Sequence, residues 1–144
     1  MSDFAFNFGG TGTDYVYGVA VDSDGNTFVT GLFNGTVDFD TSAATANLTS
    51  AGGNDVFLAK YDSSGAYQWA NNFGAASNDG GQYVSVDSSG NAYLTGSFQG
   101  TADFDPSGAT VNLTSAGAQD VFTAKYDSNG AYQFAFSIGA GSAD

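Results

Sequence analysis

The sequence contains no cysteine, histidine, glutamate or arginine, and its single proline is Pro106. Catalysis by histidine or cysteine, disulfide bonds, zinc sites and haem ligation all need residues that are missing here, so these chemistries are excluded. The absence of glutamate and arginine also removes several of the strongest helix formers, whereas the abundant glycine, threonine and aromatic residues suit strands and turns. The composition therefore predicts an all-β chain.

Positive charge is almost absent, since Lys60 and Lys125 stand against fifteen aspartates and give a formal net charge of −13. A chain this acidic has little with which to displace counterions from a phosphate backbone, which excludes nucleic acid as a partner. Apolar runs of about 18 residues are also missing, so we expect no membrane insertion. The first residues lack the basic and apolar segments of a signal peptide. An acidic chain without cysteine fits an extracellular or cell-surface protein of a bacterium, with the cytosol as the alternative.

The strongest pattern is a repeat with a period of 65 residues, which aligns residues 1–79 with residues 66–144 without a gap. The two copies are most alike at 55–68 and 120–133, where almost every residue is identical. Such similarity between neighbours implies a duplicated unit, and the chain is therefore predicted to be a tandem array.

Within each unit, turns of the form Asp-Ser-x-Gly separate runs of strand-like residues. The first aspartate can bond the backbone two residues on, and the glycine supplies the positive φ that closes a short hairpin. The flanking residues alternate between two faces, as strands do. Two hairpins per unit are predicted, with a polar insert between them that carries two short strands. The hairpins are 16–32, 55–73, 81–97 and 120–138, and the inserts are 34–54 and 99–119.

Four main strands per repeated unit, joined by glycine-rich connections, are the pattern of a β-propeller blade. The order VAVDSDGNTFVTG at 19–31, DVFLAKYDSSG at 55–65 and an aromatic strand ending in Phe73-Gly74 resembles the SBBP repeats of bacterial β-propellers. The same order recurs in the second unit. The resemblance implies a propeller at a cell surface or in a secreted protein, and it offers no catalytic motif to transfer. We therefore expect a protein that is not an enzyme.

The repeat predicts a division of the chain into three parts. Residues 1–14 hold an extra copy of the outer strand and a linker, residues 15–79 form the first four-stranded antiparallel blade, and residues 80–144 form the second. Propellers close with about four to eight blades. Two blades alone would leave apolar blade faces open to water, which is unfavourable. We therefore expect the ring to be completed by homo-oligomerisation, with three chains giving six blades or four chains giving eight.

The outer strand occurs three times, at 4–9, 69–74 and 134–139, although the chain holds two units. A spare apolar strand that pairs with a neighbouring chain would make head-to-tail contacts, and such contacts give filaments when they do not close. An open filament is therefore an alternative to the closed ring. An excerpt of a longer array is a third possibility.

The inserts hold the candidate metal ligands. Asp38 and Asp40 are two residues apart, so in an extended segment both carboxylates point the same way while Phe39 points inward. Calcium takes six to eight oxygen ligands, including carboxylates. The simpler interpretation is a solvated edge that the phenylalanine anchors. The candidate calcium ligands are Asp38, Asp40, Asp103 and Asp105.

Three functions remain open from the sequence. The preferred one is a structural scaffold whose two-blade chains self-assemble into a propeller, with Lys60 and Lys125 as structural residues. The second is a surface module that binds a carbohydrate or a protein, because the aromatic residues could stack on sugars instead of packing between blades. The third is a calcium-stabilised extracellular adhesin or filament subunit.

Overall fold

The computed structural model describes residues 4–142, and every regular element in this range is a β-strand, as the composition predicts. No helix that could cross a membrane occurs within this range. The strands form two antiparallel sheets of four strands and two hairpins of two strands. They are β1 (Tyr15–Val21), β2 (Thr27–Phe33), β3 (Thr36–Asp38), β4 (Asn47–Thr49), β5 (Asp55–Tyr61), β6 (Tyr67–Phe73), β7 (Gly80–Val86), β8 (Ala92–Phe98), β9 (Thr101–Asp103), β10 (Asn112–Thr114), β11 (Asp120–Tyr126) and β12 (Tyr132–Ile138).

The two large sheets are blade-like units with the same strand order, β1-β2-β5-β6 in blade 1 and β7-β8-β11-β12 in blade 2. The four predicted hairpins are confirmed, and their turns work as the sequence suggests. The Asp22 carboxylate accepts hydrogen bonds from the backbone N–H groups of Asp24 and Asn26, each at 2.9 Å. Gly25 takes a φ of 83°, which a residue with a side chain rarely adopts.

The two inserts form the hairpins β3–β4 and β9–β10, as predicted. Each insert is fixed to its own blade by a buried phenylalanine and a tyrosine. Phe39 is fully buried, and its carbonyl accepts a hydrogen bond of 2.9 Å from the Tyr61 hydroxyl. Phe104 and Tyr126 repeat this contact in blade 2. The phenylalanines therefore anchor the inserts as expected.

The blades stack face to face. We call the face of blade 1 that carries Phe57 and Tyr61 its front, and the face that carries Val56 and Leu58 its rear; the positions 65 residues later define the same faces of blade 2. The rear of blade 1 packs on the front of blade 2 and forms one buried apolar cluster. A second cluster covers the front of blade 1. We call the contact between the two blades the internal junction.

Segment 4–9, the predicted extra outer strand, is not part of a strand, and its β-pairing is a single bridge from Gly9 to Asp38. Its rings nevertheless lie on the front of blade 1, with the Phe8 centroid 5.1 Å from that of Phe39. At the equivalent position, Phe73 of β6 stacks on the front of blade 2, 4.8 Å from the Tyr126 ring. Segment 4–9 thus packs on the front of blade 1 in the position that β6 of blade 1 takes on the front of blade 2. The three-part division of the chain stays a prediction.

Candidate functional site

The insert aspartates close the loops of their own hairpins. Asp38 Oδ1 accepts hydrogen bonds from the backbone N–H groups of Asp40, at 3.0 Å, and Ala46, at 2.8 Å. Asp40 Oδ1 accepts one from the N–H of Ser42 at 2.9 Å. The second insert repeats the pattern with Asp103 and Asp105. The structure therefore brings the two members of each pair together and uses one oxygen of each to hold the loop.

The calcium prediction stays a prediction. Across residues 4–142, no group of three or more acidic side chains is placed so that it could hold a metal ion. A calcium ion at Asp38 and Asp40, or at Asp103 and Asp105, would need carbonyl or water oxygens for most of its six to eight ligands.

The two lysines take structural positions, but their neighbours are carbonyl oxygens and rings. The Lys60 ammonium group lies 5.1 Å from the centroid of the Phe28 ring and donates a hydrogen bond of 3.0 Å to the Ser128 carbonyl. That bond crosses the internal junction. Lys125 lies 5.0 Å from the centroid of the Tyr93 ring on the rear of blade 2.

Sequence reasoning missed a set of buried carboxylates at the ends of the blades. Asp55 is fully buried; its Oδ2 accepts bonds from the Ala51 N–H and the Asn72 amide, while Oδ1 is without a partner among the described residues. Burial raises the pKa of Asp55, and the nearby charge of Asp79 raises it further. Asp120 occupies the same place in blade 2. A sequence signal exists, since an aspartate opens each of the apolar strands β5 and β11.

Asp79 belongs to the connection between the blades. Its carboxylate accepts a bond of 2.7 Å from the Ala75 N–H and another of 2.7 Å from the Gln99 N–H. Burial raises the pKa of Asp79. This carboxylate therefore ties the linker after β6 to the end of β8, and its role in the structure is to fix one blade against the next.

The largest functional candidate is the pair of blade faces that the internal junction leaves uncovered. The same repeat position is buried inside the junction and exposed outside it. Val56 on the rear of blade 1 is 1% exposed, whereas Val121 on the rear of blade 2 is 42% exposed. On the front faces, Val84 of blade 2 is half-buried, whereas Val19 of blade 1 is 63% exposed.

Both uncovered faces are apolar and contain hollows. The free front face comprises Tyr15, Val16, Val19 and Val21, and beside it a cavity of about 250 Å³ lies between the rings of Phe6 and Phe8 and blade 1. The free rear face carries a depression of about 310 Å³. Exposed patches of this kind are typical of interaction sites. The free rear face consists of Tyr83, Val121, Phe134, Phe136 and Ile138.

Comparison with known proteins agrees with this architecture. A family model described as SBBP, a β-propeller repeat, matches residues 8–37, the span from Phe8 through β1 and β2 into β3. No curated protein matches the chain. The matched span includes VAVDSDGNTFVTG at 19–31, which is one of the three features on which the sequence resemblance rests. Residues 8–37 therefore match the β-propeller repeat of the SBBP family.

Proposed function

We propose that this chain is a non-enzymatic structural module that self-assembles, with the free rear face of one copy packing on the free front face of the next to build a larger propeller. The observation that carries the proposal is the difference in exposure between equivalent positions. The rear of blade 1 is buried against blade 2, and the apolar residues left exposed on the two free faces are unfavourable in water. A second copy supplies a neighbour of the same shape.

The cavity beside the free front face supports a second copy as the occupant. Its walls include Phe8, Phe33 and Phe57. The equivalent residues of blade 2 are Phe73, Phe98 and Phe122, and they share a buried cluster with Val56 from the rear of blade 1. The residue of a second copy that is equivalent to Val56 is Val121, which is exposed on the free rear face.

The proposal that the module is not an enzyme rests on how its carboxylates are used. The aspartates of the turns, the inserts and the junction accept backbone N–H bonds that hold loops in place. Near-identity of the two units also favours a structural role, because a catalytic site usually needs one copy to diverge. The acidic, cysteine-free composition supports a place outside a bacterial cell or on its surface.

The test is the native mass of the purified protein, measured by light scattering after size exclusion at several concentrations, with calcium and with a chelator. We expect three or four chains for a closed ring, or a mass that grows with concentration for a filament. Val121→Asp should abolish association by placing a charge in the contact. Ala43→Asp adds the same charge on the exposed insert and should leave association unchanged. A wild-type chain that stays monomeric at every concentration overturns the proposal.

A further inference from the structure

We propose that copies meet through a second type of blade junction, here called the chain junction, in which side chains of one copy fill spaces that the rear of blade 2 leaves open. This inference rests on the proposed function and specifies its contact. The chain junction is not a copy of the internal junction, because at one facing pair, Tyr15 and Ser97, the sizes are reversed relative to Gly80 and Leu32.

In the internal junction, glycines on the front of blade 2 meet larger residues on the rear of blade 1. A Cβ added at Gly80 would lie 3.6 Å from Cδ2 of Leu32 and 4.0 Å from its Cβ. A Cβ added at Gly81 would collide with the Thr30 hydroxyl and lie 3.0 Å from Cγ1 of Val56. The rear of blade 1 thus leaves no room for a side chain at Gly81 and room for only a small one at Gly80.

In the chain junction, one of these pairs is reversed in size. Tyr15 and Val16 of the free front face stand where blade 2 has Gly80 and Gly81. Facing Tyr15, the free rear face offers Ser97 at the position of Leu32, and the smaller side chain makes room for the ring.

Val16 has no smaller residue opposite it on the rear of blade 2. Its equivalent, Gly81, points at Thr30 and Val56 in the internal junction. The matching residues behind blade 2 are Thr95 and Val121, and they border the depression of about 310 Å³. These residues are the same types that leave no room for a Cβ at Gly81, so the blades must stand farther apart at Val16 in the chain junction than they do at Gly81 in the internal junction, and the complementarity rests on Tyr15 and Ser97.

Exchanging partners between the internal junction and the chain junction would give a poor contact in both cases. Tyr15 against Leu32 would overpack the contact, and Gly80 against Ser97 would leave a void. The two junctions therefore alternate along the assembly, so that it grows in steps of two blades and a closed ring has an even number of them. The contact is heterologous, since the surface patches that meet are different ones.

The chain junction also keeps one polar contact of the internal junction and loses two. Lys125 holds the position of Lys60, which bonds the Ser128 carbonyl across the internal junction. Lys125 is thus placed to reach the Ser63 carbonyl of the next copy. The bonds from the Trp69 indole and the Asn71 amide to blade 2 disappear, because the equivalent residues behind blade 2 are phenylalanines. The chain junction should be the weaker of the two.

Because the chain has no cysteine, pairs of introduced thiols give a direct test. In the internal junction, the Cβ–Cβ distance between positions 80 and 32 is 4.0 Å, which suits a disulfide. The combined substitutions Tyr15→Cys and Ser97→Cys place the pair at the equivalent positions of the chain junction. Within one chain these positions lie on the free front face of blade 1 and the rear of blade 2. Mild oxidation should therefore give disulfide-linked oligomers of this variant, read on non-reducing gels.

The matched control is Leu32→Cys with Gly80→Cys, which should close within one chain and stay at monomer mass on the gel. If the control closes while the first pair does not link chains, the chain junction is wrong. The native mass of the wild type then separates two cases: an oligomer leaves self-assembly standing through another contact, and a monomer removes the proposed function as well.

A size exchange tests the side-chain argument without thiols. Ser97→Leu should weaken association about tenfold or more by overpacking against Tyr15. Adding Tyr15→Gly recreates the pair of the internal junction and should restore association. If Ser97→Leu leaves association unchanged, or if the double variant is no better than Ser97→Leu alone, the proposed packing is overturned.

Discussion

Aspartate has two opposite roles in this molecule, and the difference lies in what surrounds each carboxylate. In the exposed turns the charged form is stabilised: a hydrogen bond from the Asn91 side chain is the main reason that the pKa of Asp87 is lowered. At the blade ends the charged form is penalised, because burial raises the pKa of Asp55 and of Asp79. Asp87 therefore stabilises the fold above a pH of about 4 and loses that contribution as the pH falls. Asp55 and Asp79 do the reverse: their stabilising contribution is present at low pH and declines as the pH rises through their raised pKa.

Asp55→Asn is expected to raise the free energy of unfolding at pH 7 by about 1 kcal/mol, since it removes a buried charge whose Oδ1 is unpaired among the described residues. At pH 3 the wild-type carboxyl is already protonated, so the gain should vanish. Asp87→Asn is the matched control and should lower stability at pH 7 with little effect at pH 3. Urea unfolding at the two pH values measures both. A gain for Asp55→Asn that is equal at pH 3 and pH 7 would contradict the sign of the pKa shift.

The calcium prediction also belongs to single residues. If Asp38 and Asp40 bind calcium, adding it should raise Tm, and a chelator should reverse the rise. The double variant Asp38→Asn and Asp40→Asn keeps side-chain oxygens that can accept the loop bonds but removes both charges, so the calcium response should disappear. Asp24→Asn in an exposed turn removes a charge elsewhere and should leave the response intact. A Tm that calcium does not change would contradict the prediction.

At the scale of strands, local chemistry explains what could be predicted from the sequence. The hairpins around Gly25 and its equivalents follow from turn residues and alternation, both of which act over a few positions. The position of segment 4–9 could not be predicted in the same way. A segment joins a sheet by pairing with the edge of a strand, whereas segment 4–9 packs on the front face of blade 1. The buried Asp55 was missed because the groups that bond it, from Ala51 and Asn72, are brought there by the fold.

Segment 4–9 contributes stability through its rings. Phe8 is half-buried, and its ring lies 5.1 Å from Phe39 and 6.0 Å from Tyr61. Phe8→Ala is expected to cost about 2 kcal/mol, less than a fully buried phenylalanine, and to lower Tm by roughly 5 °C. Ile138 holds the same position in the third copy of the motif but is 65% exposed. Ile138→Ala should therefore lower the Tm of the monomer by much less, and equal effects would contradict the packing of segment 4–9.

The same segment should compete with assembly. In the chain junction, β12 of the preceding copy would pack on the front of blade 1, where segment 4–9 now packs. Removing residues 1–9 is therefore expected to lower the Tm of the monomer and, at the same time, to strengthen association, because the competing segment is gone. Sedimentation of the shortened and full chains over a concentration series measures the second effect. Weaker association after the removal would show that the segment is part of the contact.

At the scale of the whole molecule, the apolar faces favour association while the charge opposes it. The sequence predicts uncovered faces from the number of repeats alone. It does not predict that Ser97 takes the place of Leu32 opposite Tyr15, because only the structure of the internal junction shows which residues face each other. The same unit therefore carries two different contacts, one within the chain and one proposed between chains.

Net charge gives the last prediction. Each copy carries −13, so two copies repel each other, and salt screens this repulsion because the Debye length falls from about 30 Å at 0.01 M to about 3 Å at 1 M. The proposed contact is apolar apart from Lys125, so we expect the association constant to rise on the order of tenfold between about 20 mM and 500 mM sodium chloride. Calcium and magnesium chloride at matched ionic strength separate screening from a specific ion. If sodium chloride instead weakens association, ion pairs hold the copies together, and the apolar faces are not the contact.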